Sequence, residues 1–334
     1  MMADLPTRTL QASDDATAEA ARALRNGGLV AFPTETVYGL GADAANPKAV
    51  ARLYAAKGRP SFNPLIAHVD GLPAAGRLAV FSAEALALAQ AFWPGPLTLV
   101  LPKAPGCPVC DLATAGLDSV ALRLPAHPVA EAILRAFGGA VVAPSANRSG
   151  HVSPTQAAHV AEDLSGRIDL IVDGGPVRIG VESTIVGCLG APVLLRPGGV
   201  PRAAIERVLG RPLGESPSAA GHAADAPLAP GMLASHYAPA ARVRLEAREV
   251  GPGEALLAFG PQTLPGADQA SAVRNLSPRG DLVEAAANLF GMVRELDGIG
   301  AKSITVMPVP RHDLGEAIND LLARAAAPRG LKPD

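Results

Sequence analysis

The sequence predicts an α/β protein built of two units, and three observations predict it. Strand-patterned and helix-patterned segments alternate along nearly the whole chain, the signature of a sheet covered by helices. A length of 334 residues favours two domains over one. From Arg211 to Pro239 the composition shifts to Pro, Gly, Ala and Ser without a sustained period, as a linker requires.

The elements follow in order. Asp14 and Asp15 are placed to cap an Ala-rich helix that Gly27 and Gly28 end, and LVAFP (29–33) then reads as a short buried strand. Asn46-Pro47 is an N-cap followed by proline at the first helical position, which opens a helix running to about Ala56 and stopped by Gly58. LIAHV (65–69) is a strand, and a helix from about Ser82 to Phe92 leads through a WPGP turn into the strand LTLVLP. VALRL (120–124) is another strand, His127-Pro128 opens a helix, AVVAP is a strand, and Pro154 starts the next helix. IDLIVD, STIVGC and VLLRP are strands before a last helix at Pro201. After the linker, VRLEA, ALLAFG and SITVMPV read as strands, with helices at Pro278 to Leu296 and Leu314 to Ala326. That second unit is Rossmann-like in pattern but carries no GxGxxG.

Composition narrows the function classes. Hydrophobic residues make up 49 % and charged residues 18 %, enough for two cores, while 29 Lys+Arg against 31 Asp+Glu leave no net positive charge to coat a polyanion. Direct tRNA binding is therefore expected to be weak or absent. Aromatic residues are only 3 %, so an anionic ligand would be held by local cations and backbone N–H groups rather than by stacking. Apolar runs fall well short of a membrane span, and the N-terminal residues carry no secretory pattern, so a cytoplasmic location is expected. Cys107 and Cys110 in CPVC lack the second ligand pair of a structural zinc site.

Four loops concentrate the chemistry. PTETVYGLGADA puts Thr34, Glu35, Thr36 and Tyr38 directly after an apolar strand, where ligands of open α/β sheets bind. KGRPSFNPL places Lys57, Arg59 and Asn63 on one loop, a point charge, a planar fork and an amide that suit phosphate oxygens. APSANRSGHVSPT gathers Ser145, Asn147 and Ser153 beside glycine, as a phosphate-cradling loop needs. VESTIV and LLRPGG supply Glu182, Ser183, Thr184 and Arg196. Each loop alone could be an ordinary polar turn, but four at strand ends in one unit point to a nucleotide.

These segments, with WPGPLTLVL and VALRLPAHP and in this order, closely resemble the L-threonylcarbamoyladenylate synthases, or YrdC-like family. The resemblance implies a YrdC-like twisted mixed-sheet catalytic domain at 12–210, a linker at 211–240 lying over the active site and a smaller Rossmann-like α/β domain at 241–334. It implies synthesis of threonylcarbamoyl-AMP and pyrophosphate from L-threonine, bicarbonate and ATP with Mg²⁺. The product would pass to a separate transferase complex that modifies the adenosine next to the tRNA anticodon.

By the same resemblance, Lys57 and Arg59 match a KxR pair, and Ser145 and Asn147 match an SxN pair. Lys57, Arg59, Asn63, Ser119, Ser145, Ser153 and Arg196 would contact ATP, Asn147 would order the phosphate loop, and Tyr237 would reach the nucleotide from the linker. Thr36, His68, Arg123 and Ser183 would hold threonine, with Thr34 close to Thr36 in the same role. No metal ligands are identified, and Mg²⁺ is expected to ride on ATP oxygens and water. Competing readings are carbamoyl-adenylate formation, a tRNA or double-stranded RNA binding module, and a nucleotide sensor without catalysis.

Overall fold

A computed structural model describes residues 6–215 and 238–327. Tyr237 and most of the linker lie outside the described residues. The chain begins with β1 (Arg8–Gln11) and α1 (Asp14–Arg25), whose cap is Ser13 rather than Asp14 or Asp15: Ala16 N–H donates to the Ser13 hydroxyl at 3.1 Å. The two aspartates instead occupy the first turn, where they complement the helix dipole.

β2 (Val30–Pro33), β3 (Tyr38–Asp43), α2 (Pro47–Lys57) and β4 (Ile66–His68) follow, then α3 (Leu72–Leu78), α4 (Ala83–Phe92) and β5 (Leu97–Pro102). Asn46 caps α2 and Gly58 ends it at φ 61°. The short α5 (Asp111–Thr114) precedes β6 (Ser119–Arg123), α6 (Pro128–Phe137) and β7 (Val141–Val142). α7 (Ala157–Leu164) starts three residues after Pro154, and β8 (Leu170–Asp173), β9 (Thr184–Gly187), β10 (Val193–Arg196), α8 (Arg202–Leu209) and β11 (Gly214–Glu215) complete the unit.

Among the described residues these strands form one eleven-stranded mixed sheet in the order β1-β8-β2-β3-β7-β4-β6-β5-β9-β10-β11. The sheet takes in β1 and β11, one strand beyond each end of the 12–210 segment. Its two faces differ in kind. Leu97, Leu99, Leu101, Val120, Leu122 and Val186 point into the main core, whereas the opposite face carries a small apolar cluster of Ile66, Val100, Ala121, Ile185 and Leu195 here and a second, with Val30, Phe32, Val141, Leu170 and Val172, packed with residues of α1 and α6. Period-2 alternation fixes this: in β6 the residues sharing Ala121's face are Ser119 and Arg123.

The second unit is a four-stranded sheet ordered β12 (Arg242–Arg244), β15 (Ser303–Val306), β13 (Ala255–Ala258) and β14 (Val273–Asn275), parallel at every pairing. α9 (Leu282–Gly298) and α10 (Leu314–Ala326) pack on it. Its core does not stop at its own elements, because Val37, Val152 and Val181 of the first unit belong to the same buried cluster as Leu289, Phe290 and Val293.

Candidate active site

Strand register lines up the polar residues of the sheet's second face. His68 on β4 pairs with Arg123 on β6, and one step beyond the Leu99–Leu122 pair Thr98 stands opposite Arg123. Thr98 pairs with Ile185 on β9, and Ile185 with Arg196 on β10 across an irregularity in the ladder. His68, Arg123, Thr98 and Arg196 thus form a row across five strands, with the two arginines roughly 14 Å apart at about 4.8 Å per strand. Ser119, at the other end of β6, sits roughly 13 Å from Arg123 by strand rise.

Each arginine is clamped by a Glu-hydroxyl dipeptide. Arg123 donates one nitrogen to Glu35 Oε1 and to Thr36 Oγ1, both at 2.8 Å, and Glu35 also accepts from Ala126 N–H at 3.0 Å. Thr34 holds the turn, its hydroxyl donating to Val37 O at 2.7 Å and lying 2.9 Å from that of Thr36. Arg196 donates to Glu182, twice to Ser183 O (2.9 and 3.1 Å) and to Ser183 Oγ at 3.1 Å. Ser183 Oγ is also 2.8 Å from Thr98 Oγ1, and Ser153 Oγ donates to Glu182 at 3.1 Å. Gly198 permits this packing: a Cβ there would sit 2.4 Å from Glu182 O and Thr184 N.

The two short motifs meet directly. Lys57, at the end of α2, donates its ammonium hydrogens to the carbonyls of Ser145 and Asn147, and its own carbonyl accepts from Ser149 N–H at 2.8 Å. Asn147 Nδ2 donates to the carbonyls of Arg148 and His151, both at 2.8 Å, which closes the loop on itself. Arg59 reaches Pro64 O at 3.1 Å and lies beside Asn63 O. The helix stop at Gly58 therefore aims Lys57 at one loop and Arg59 at the next.

Burial sets the protonation states. Lys57 is pushed down to about 7, first by removal from water and then by the neighbouring Arg59 charge, against the pull of Glu182 and Asp163. His68 is pushed down to about 3 by burial and by Arg123, so its imidazole is neutral at working pH, with Nδ1 3.2 Å from Ile66 O. Four buried side-chain atoms lack a hydrogen-bond partner among the described residues, and Asn63 Oδ1, Arg123 Nε and Asn147 Oδ1 are three of them. Unpaired buried polar atoms cost about 1–3 kcal/mol each, so Asn63, Arg123 and Asn147 are candidates for contact with a ligand.

The structure thus gathers Thr34, Thr36, Lys57, Arg59, Asn63, His68, Ser119, Arg123, Ser145, Asn147, Ser153, Ser183 and Arg196 on or around this face. Sequence reasoning named Glu35 and Glu182 without giving them a part, and passed over Thr98. The signal for the glutamates was their place beside Thr36 and Ser183 in two dipeptides of one pattern; for Thr98 it was a single hydroxyl in the apolar run LTLVL. Among the described residues no group of three or more His, Cys, Asp or Glu side chains could hold a metal ion. Cys107 and Cys110 are free thiols, and burial pushes the Cys188 thiol up to about 12.

Fold and site together define an α/β protein with buried cations, Lys57, Arg59, Arg123 and Arg196, around one sheet face. A family model described as "Telomere recombination" matches residues 22–198, and one described as "Threonylcarbamoyl-AMP synthase, C-terminal domain" matches residues 200–327. Threonylcarbamoyl-AMP synthase of Pyrococcus abyssi is 44 % identical over 331 residues, 94 % of each chain. That of Bacillus subtilis is 41 % identical over 341 residues, 98 % of this chain and 97 % of the other. A crystal structure of P. abyssi Sua5 complexed with L-threonine superposes with a TM-score of 0.87 at 40 % identity, covering 96 % of this chain and 97 % of that one. The chain belongs to the threonylcarbamoyl-AMP synthase family.

Proposed function

We propose that this protein makes threonylcarbamoyl-AMP, pyrophosphate and water from L-threonine, bicarbonate and ATP, the water leaving as the threonine amine forms its carbamate with bicarbonate. The observation that carries the reading is the pairing of a partly unengaged buried arginine, Arg123, with a second buried cationic group built from Lys57, Arg59 and Arg196 on the same sheet face. One suits a carboxylate and the other a triphosphate, and the reaction joins two such ligands. Arg123 takes the threonine carboxylate, with the hydroxyls of Thr34, Thr36 and Ser183 and the neutral imidazole of His68 around the amino acid. Asn63, Ser119, Ser145 and Ser153 line the ATP side, and Tyr237 would reach ATP from the linker.

Threonine carbamate is an anion that must approach an anionic α-phosphate, so charge cancellation and alignment supply most of the catalysis and no side-chain nucleophile is needed. The carbamate oxygen attacks phosphorus and pyrophosphate leaves; Lys57 and Arg59 neutralise the charge that builds on the phosphoryl oxygens. Mg²⁺ enters with ATP as part of the substrate and shields its phosphates. The product would pass, in the cytoplasm, to a separate complex that transfers the threonylcarbamoyl group to tRNA. Pyrophosphate release with Mg²⁺ and ATP, adding threonine and bicarbonate singly and then together, tests the reading. Release that needs both supports it; release indifferent to threonine overturns it.

A further inference from the structure

The second unit reaches the phosphate loop through one side chain. Arg294 of α9 donates to Val152 O, immediately before Ser153, and the same nitrogen pairs with Asp163 Oδ2 at 2.9 Å. Asp163, at the end of α7, holds His151 Nδ1 through its other oxygen at 2.8 Å. Glu162 adds a 3.4 Å contact to Arg294 from the rim. Arg294 thus holds two consecutive residues of the loop that runs from Ser145 to Ser153, Val152 directly and His151 through the Asp163 carboxylate. Arg294 Nε is the fourth buried side-chain atom without a partner among the described residues.

Two further contacts bear on the same loop. Ala238 N–H donates to Gly150 O at 2.9 Å, while the amides of Ala240 and Ala241 donate to the Asp297 carboxylate of α9, both at 2.8 Å. Residues 150–152 are therefore held between α9 and the chain leaving the linker. The opposite side of the site is braced differently: Gly180, at φ 74°, lies so close to α9 that a Cβ would meet Ala286 O at 2.4 Å and Ala287 Cα at 2.5 Å. There the brace is backbone packing; at the phosphate loop it is a charged hydrogen bond to a carbonyl.

We propose that Arg294 is a positioning residue for the nucleotide side of the reaction, fixing the Ser145–Ser153 loop through Val152 O and Asp163. It touches no group assigned to threonine, so its loss acts on ATP alone. The inference rests on the function proposed above, and the test separates the two. In the full-length chain, Arg294→Met should raise KM for ATP roughly fivefold and leave KM for threonine within about twofold, the size of effect expected of coupling through one contact. Arg294→Lys, which can still donate to Val152 O, should recover part of it, and Asp163→Asn should shift ATP in the same direction by less.

Hydrogen exchange supplies a readout that does not depend on activity: in Arg294→Met the amides of Ser149 and His151 should exchange faster by more than any fall in Tm accounts for, while amides of the central strands β5 and β6 keep their protection. An unchanged loop with unchanged KM for ATP overturns the proposal. So does a parallel rise of both KM values that tracks a fall in Tm, since that is loss of fold rather than of position. If the wild-type chain shows no threonine-dependent release, the function reading fails while the exchange experiment still decides the loop contact.

Discussion

Arg123 and Arg196 occupy the same row of one sheet, are equally buried and are each held by a Glu-hydroxyl dipeptide, yet their guanidinium groups are engaged differently. Arg196 uses all three of its nitrogens on Glu182 and Ser183. Arg123 uses one nitrogen on Glu35 and Thr36, and its Nε has no partner among the described residues. Of a guanidinium's five donors Arg196 spends four and Arg123 two, so the first is largely occupied by the fold and the second is left open for a ligand. In the proposed reaction, similar sequence surroundings would therefore do two jobs, Arg196 shaping the wall on which ATP rests and Arg123 binding threonine.

The sharpest way to break this contrast is Arg123→Lys. Lysine keeps the charge beside Glu35, so the fold should survive, but it cannot offer a planar fork to a carboxylate. We expect kcat/KM for threonine to fall about 100-fold or more, with KM for ATP within about threefold, since a charge-assisted pair is worth roughly 3 kcal/mol. Substrate-saturation kinetics in each substrate decide it. Arg123→Ala is a poorer probe, because stranding Glu35 in the core would cost about 3–5 kcal/mol of stability.

Lys57, which feels Glu182, carries a pH signature of the Arg196 side. Its amine titrates near 7 in the free protein, and phosphate oxygens would favour the charged form. ATP binding is then at full strength below pH 7 and weakens above it by up to about tenfold per unit, with a proton taken up on binding. Calorimetry at pH 8.5 in buffers of different ionisation enthalpy should register that uptake, and Lys57→Arg should abolish it. Uptake that persists in the variant would place the titrating group elsewhere.

How far the sequence carried this picture differs between the two arginines. Both lie at the ends of apolar strand patterns, so their places at the edge of a sheet were legible from VALRL and LLRPGG. Their partners were not, because Glu35 and Glu182 come from loops distant in sequence and nothing local says which arginine a carboxylate will meet. The contact between Lys57 and the Ser145–Asn147 loop was hidden for the same reason. β3 was missed because its glycines, Gly39 and Gly41, and the polar run before it made PTETVYGLGADA read as a loop, and β1, β11 and β14 because they are two to four residues long and mostly exposed or half-buried, which leaves little alternation to read. α3 was hidden by Gly71, Pro73 and Gly76.

A smaller effect should follow from Arg196→Lys. Its bonds to Ser183 O hold backbone, so the loss should appear as about a tenfold fall in kcat/KM shared by both substrates, with Tm lower by roughly 3–6 °C for 1–2 kcal/mol. An ATP-only effect of the size expected at Arg123 would show that Arg196 opens to the ligand and would erase the contrast.

Thr98→Val makes the smallest change and asks whether the two clamps are linked. Thr98 stands in the row between them, but its hydroxyl bonds Ser183, which belongs to the Arg196 clamp, rather than Arg123. Valine nearly matches its shape and removes one hydrogen bond, a loss of about 1 kcal/mol or a few-fold in kcat/KM. In double-mutant cycles it should couple with Arg196→Lys, because both act on the Ser183 hydroxyl, and add to Arg123→Lys within about 0.3–0.5 kcal/mol. Coupling to Arg123 instead would mean that the row responds as one unit, and that binding threonine at one end changes the phosphate wall at the other.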